Sequence, residues 1–109
     1  MSSYDILDRL MATIAERAKN ADPKSSHVAK MVAKGTPKIA KKLGEEAVET
    51  AIAAMMDGRD EVIKESADML FHLLVLWHVQ GIKAQEVMEE LARREGISGI
   101  AEKAGRAEG

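Results

Sequence analysis

The sequence contains no cysteine. That absence excludes a disulfide framework, a thiolate zinc site, an iron–sulfur cluster and cysteine nucleophile chemistry, so a metal could be held only by carboxylates or imidazoles. It also accords with a reducing compartment. Aromatic residues are nearly as scarce, with one Trp, one Tyr and one Phe, and runs of β-branched residues are few, which leaves little from which to build a sheet. Only two prolines interrupt the 109 residues, so long stretches are free to be helical. Long apolar runs are missing as well. The longest apolar-rich stretch, from Ala67 to Val79, is broken by Asp68, His72 and His78 and falls short of the ~20 residues a bilayer demands. It reads as a core helix. The first ten residues carry Asp5 and Asp8 and show no basic stretch leading into an apolar run, unlike a secretory signal. A cytoplasmic protein with no membrane partner is the expectation.

Excess charge of one sign is lacking too: 16 basic and 18 acidic side chains give a net charge of −2. No nucleic-acid partner is expected from that balance. The balance nevertheless conceals a segmented arrangement. Lys24, Lys30, Lys34, Lys38, Lys41 and Lys42 occupy a stretch without a single acid, and Glu45, Glu46, Glu49, Asp57, Asp60, Glu61, Glu65 and Asp68 follow with only Arg59 and Lys64 among them. A 46% share of hydrophobic residues argues against intrinsic disorder, and the length corresponds to one domain over residues 1–109.

What is present is helical periodicity. Ile6, Leu7, Leu10, Met11, Ile14 and Ala18 recur at three-to-four spacing from Tyr4 to about Asn20, where Asp22-Pro23 stops the helix. Ser25 or Ser26 can cap a short second helix that ends at Gly35. Thr36 then reads as an N-cap with Pro37 in the first helical position, opening a third helix to about Met56. Asp57-Gly58 signals a turn, a fourth helix follows from Arg59 or Asp60 to Gln80 with Gly81 as its stop, and a fifth runs from Ala84 to Glu95. Residues 96–109 read as a tail. The fold class is all-α, a bundle of four to five helices.

Helical geometry gathers the acids. At about 100° per residue, Glu45, Glu46 and Glu49 share one face of the third helix with Lys38 and Lys42, and Glu61, Glu65, Asp68 and His72 form a stripe about 60° wide on the fourth. The rest of the fourth helix is nearly all apolar around Asp68 and His72, so both helices read as largely buried and Asp68 as an interior carboxylate in need of a partner. Lysine pairing answers that need poorly. The lysines of the third helix precede the glutamates, the weaker order against the helix dipole, and Asp68 has no base within a turn. Bringing the two stripes together places four or five carboxylates in one pocket, a conflict that a hard divalent cation with oxygen ligands would resolve: Mg²⁺, with Mn²⁺ as a substitute. A di-iron bundle would need Glu-x-x-His pairs, and Glu65-Ser66-Ala67-Asp68 has Asp where that pattern wants His. A fourth helix this apolar also needs more neighbours than five helices supply, which points to a homodimer.

The runs Lys42-Leu43-Gly44-Glu45-Glu46-Ala47-Val48-Glu49 and Glu65-Ser66-Ala67-Asp68 through Leu76 form the pattern E-E-x-x-E followed by E-x-x-D. This pair resembles the motifs of the all-α, MazG-like nucleoside-triphosphate pyrophosphohydrolases, and most of all phosphoribosyl-ATP pyrophosphohydrolase, with the likeness spanning nearly the whole chain. The resemblance implies Mg²⁺-dependent hydrolysis of phosphoribosyl-ATP to phosphoribosyl-AMP and pyrophosphate, the second step of histidine biosynthesis, by a dimeric enzyme. It implies metal binding by Glu46, Glu49, Glu65 and Asp68, a catalytic part for Glu45 as ligand or water-orienting base, and phosphate contact by Lys42. Lys38 shares the carboxylate face and His72 the acidic stripe, so both join the substrate-binding set. Two positions depart from the family pattern: Ser26-His27-Val28 stands where many members read Ser-Tyr-Thr, and Lys83 where a small capping residue is usual. A house-cleaning pyrophosphohydrolase of a non-standard or deoxynucleotide would use the same acids, and a non-catalytic helical interaction module remains the alternative outside the enzyme class.

Overall fold

The structure, a computed structural model, describes residues 5–56 and 58–95. The expected tail and Asp57 of the expected turn lie outside the described residues. Five helices follow one another: α1 (Asp5–Asn20), α2 (His27–Lys34), α3 (Thr36–Met56), α4 (Arg59–Gln80) and α5 (Ala84–Arg94), with no strand among the described residues. None of these helices is long and apolar enough to cross a membrane.

Local chemistry sets the breaks between them. After α1, the Asp22 Oδ1 accepts from the Lys24 N–H at 2.9 Å and the Asp22 carbonyl accepts from the N–H groups of Ser25 and Ser26, both at 2.9 Å. This is an Asx-type turn that closes the chain on itself. Ser26 is the N-cap of α2, its Oγ accepting from the Ala29 N–H at 3.2 Å. Gly35 then joins α2 to α3 alone. Its φ of 90° with ψ of 176° belongs to a region essentially restricted to glycine, and its carbonyl already accepts the Ile39 N–H at 3.2 Å. Thr36 is therefore inside α3 rather than its cap, and Pro37 sits one position deeper than expected. It is still in the first turn, where a missing N–H deprives no partner. Gly81, at φ 72°, ends α4 in the left-handed conformation. There the Ile82 N–H reaches the Trp77 carbonyl at 2.9 Å and the Gly81 N–H that of His78 at 3.2 Å, a Schellman closure. Lys83, which cannot accept a hydrogen bond as an N-cap side chain, is served from the other direction: its N–H donates to Glu86 Oε2 at 2.8 Å.

The most extensive packing is between α3 and α4, with α1 laid against α4 and α2, α2 also against α3, and α5 against α1. Ile14, Val28, Met31, Ile39, Leu74, Val75, Trp77 and Ala84 form the core. From α3 that core takes only Ile39, and the α4 residues in it or packed on it run from Phe71 to Val79. The remainder of the α3–α4 hairpin stands clear of it. Val48, Ile52, Met55, Met56, Ile63 and Leu70 are exposed, from 46% at Leu70 to 85% at Met55. The expectation that α3 and α4 are largely buried fails for that half within one chain, because α1, α2 and α5 gather at its other end.

Candidate functional site

Antiparallel packing of α3 on α4 brings acids from the two helices face to face. Oxygens of Glu46 and Glu49 on α3 and Glu65 on α4 all lie within 4.8 Å of one another. Glu46 is the enclosed member, 5% exposed, with Lys42 Nζ at 3.4 Å from its Oε1. The pair forms despite its lysine-first order, since a buried carboxylate gains most from any cation that reaches it. That contact, followed by the charges of Glu45 and Glu49, holds the Lys42 ammonium above its ordinary range. Glu65 has no such answer. Its Oε2 is buried without a hydrogen-bond partner. Its carboxyl is pushed above the usual glutamate range, first by loss of solvent, then by the adjoining Glu49 carboxyl, then by the charges of Glu46 and Asp68. A buried carboxylate oxygen left unpaired beside two further carboxylates is a donor set that suits a hard divalent cation.

Asp68, the remaining acid expected among the ligands, is exposed and outside the three-carboxylate group, near enough for its charge to act on Glu65. The interior carboxylate of the hairpin is Glu46, not Asp68. The reason lies in packing: Ala67, next to Asp68 on α4, is exposed with it, so the apolar surroundings counted along the helix are not covered by other elements there. Glu45 faces elsewhere. It lines a cavity of about 250 Å³ together with His27, Lys30, Lys34, Lys38 and Lys42. Lys42 thus belongs to both places, at the wall of the cavity and against Glu46. Lys30 and Lys34 extend the cavity beyond the residues picked out from the helix face of α3. Their signal was in the sequence as a strict four-residue spacing, 30, 34, 38, 42, which the bend at Gly35 carries from one helix to the next.

His27 lines the cavity, and His72 stands behind it. His72 is 5% exposed, with Nδ1 at 2.7 Å from the Asp68 carbonyl oxygen. A carbonyl can only accept, so Nδ1 carries the proton, and in that tautomer Nε2 is the acceptor. His27 Nε2 lies 3.4 Å from it and is the donor in that arrangement. The His27 ring also stacks on Phe71 with centroids 6.5 Å apart. Desolvation first, and then the charges of His72, Lys42 and Lys30, pull the His27 imidazole below its ordinary pKa, with Glu46 opposing. His78 lies apart, beside Asp8 and Met11, and Trp77 belongs to the core.

Comparison with known proteins gives a consistent result. The family model described as phosphoribosyl-ATP pyrophosphohydrolase matches residues 7–95. The chain is 58% identical over 103 residues to the phosphoribosyl-ATP pyrophosphatase of Rhizorhabdus wittichii, an alignment covering 94% of this chain and 96% of the relative. It is 56% identical over 106 residues to that of Novosphingobium aromaticivorans, covering 97% and 98%, and 56% identical over 100 residues to that of Erythrobacter litoralis, covering 92% and 95%.

The raised Glu65 carboxyl gives a direct test of the fit to a cation. In metal-free protein the Glu65 side-chain carboxyl carbon, followed by NMR, should titrate above the ordinary glutamate range. Saturating Mg²⁺ should move that titration down, because a bound cation favours the ionised ligand. A Glu65 titration that is indifferent to Mg²⁺ would remove this residue from the metal set.

Proposed function

The chain belongs to the phosphoribosyl-ATP pyrophosphohydrolase family, and from that membership we propose that the α3–α4 carboxylates and the adjoining lysine cavity are the two halves of its active site. The activity is hydrolysis of phosphoribosyl-ATP to phosphoribosyl-AMP and pyrophosphate, a reaction of histidine biosynthesis. The observation that supports this placement is the adjacency itself. Three carboxylates, one with a buried oxygen that has no hydrogen-bond partner, adjoin a cavity lined by lysines through the Lys42–Glu46 contact, as a polyphosphate and its counter-ion require.

Glu46, Glu49 and Glu65 would hold the divalent ion, Mg²⁺ or Mn²⁺ in its place, with Asp68 at the rim of the group as a further ligand. The ion, when bound, supplies Lewis-acid stabilisation of charge on the phosphoryl oxygens. The protein's own groups do the remainder. Lys42 and Lys38 bind phosphate oxygens as point charges and fix the triphosphate over the carboxylates. Glu45, exposed at the cavity wall next to Glu46, is placed to accept the proton of a water attacking the linkage between the α- and β-phosphates. His72 is enclosed, and its contribution to substrate binding passes through His27, whose ring it orients at the cavity.

The working form we infer is a homodimer in the cytoplasm. Six large apolar side chains on one half of the α3–α4 hairpin are exposed, and solvating such a patch is unfavourable at roughly 25 cal/mol per Å² of apolar surface. A second copy of the same hairpin covers it with like residues.

Two outcomes are expected. Glu49→Gln should lower pyrophosphate release from phosphoribosyl-ATP by about a hundredfold or more, the scale of removing several kcal/mol of charge stabilisation, with far-UV circular dichroism unchanged; retained turnover would sink the assignment. Sedimentation equilibrium should give twice the chain mass at micromolar concentration, and Ile52→Glu should shift it towards one chain mass. A wild-type protein that sediments as a single chain would contradict the dimer.

A further inference from the structure

Four lysines, Lys30, Lys34, Lys38 and Lys42, line one cavity. Lys42 is committed to Glu46 at 3.4 Å, at the end of the cavity nearest the metal-binding acids. Lys30 and Lys34 on α2 and Lys38 on α3 have no carboxylate partner among the described residues. Glu45 is the lone acid lining the cavity. Uncompensated ammonium groups around a concave site raise the local concentration of an anion and favour its binding. Their order along the wall also matters. Lys42 and Lys38 lie on the helix that carries Glu46 and Glu49, whereas Lys30 and Lys34 lie beyond the Gly35 bend on α2, the other helix that lines the cavity.

A simple nucleoside triphosphate has one anionic end, which the carboxylate-held cation, Lys42 and Lys38 would occupy. Phosphoribosyl-ATP has two, because a second ribose on the adenine carries a 5-phosphate away from the triphosphate. A phosphate monoester bears about −1.5 to −2 charge at pH 7 and calls for two cations. Resting on the function proposed above, we propose that Lys30 and Lys34 bind the ribose 5-phosphate and so make the enzyme select phosphoribosyl-ATP over simple nucleoside triphosphates. These contacts are made equally in the ground and transition states, since the 5-phosphate takes no part in bond cleavage. Their loss therefore weakens binding and leaves the chemical step intact.

The test compares two substrates with Mg²⁺ present: phosphoribosyl-ATP and the same molecule lacking the 5-phosphate. Wild-type protein should prefer the first by about a hundredfold in kcat/KM, roughly tenfold for each charge-assisted contact. In the exposed-site double variant Lys30→Gln/Lys34→Gln, KM for phosphoribosyl-ATP should rise by about the same factor with kcat within about twofold, and the preference should fall to near unity. Ribose 5-phosphate alone should compete with substrate in the wild type and not in the variant. A variant that keeps the preference, or that loses turnover of both substrates equally, overturns the subsite while the activity stands. A wild-type protein that releases pyrophosphate from neither substrate overturns the function first and the subsite with it.

Discussion

Carboxylates from α3 and α4 meet within 4.8 Å, and one ammonium, that of Lys42, answers them at 3.4 Å. Left alone, such a group is frustrated: like charges in a partly desolvated space repel, and the carboxyl of one is pushed above its ordinary range. Glu65 is that one. In the function proposed here that frustration is put to use, because a divalent ion and the polyphosphate it accompanies would relieve it. The rest of the structure can be understood as support for that point of contact between two helices.

The support is economical. A core built mainly from α1, α2 and the last turns of α4 anchors one end of the hairpin and leaves the other bare. Gly35 turns the chain from α2 into α3 with no intervening loop, so the lysines of α2 continue the line of those on α3. The His27–His72 contact, 3.4 Å across 45 residues of sequence, ties α2 to α4 directly behind the cavity. One end of the hairpin is therefore fixed by packing within the chain. The other, with Val48, Ile52, Met55 and Met56 exposed, is suited to packing against a second chain.

Much of this was legible in the sequence, for physical reasons that can be named. Helix positions followed from apolar spacing and from Pro23, Gly35, Gly58 and Gly81, because those features act within one turn of the chain. The facing of Glu46, Glu49 and Glu65 followed from the same periodicity. What was not legible depends on contacts between elements. Burial along a single helix cannot say which acid a neighbouring helix covers, so Asp68 was expected inside and Glu46 is found there. The pairing of His27 with His72 needs the relative placement of α2 and α4. The start of α3 at Thr36 depends on the unusual conformation of Gly35, since Thr-Pro by itself favours a cap at the threonine.

The central claim is that Glu46, Glu49 and Glu65 together hold a divalent ion between α3 and α4. Crystals of the protein grown with Mn²⁺ and measured near the manganese absorption edge test it most directly. The account predicts an anomalous peak within coordination distance of all three carboxylates, about 2 to 2.3 Å, and its loss in Glu65→Gln. Anomalous density confined to exposed acids elsewhere, with the three carboxylates left to one another, would contradict it.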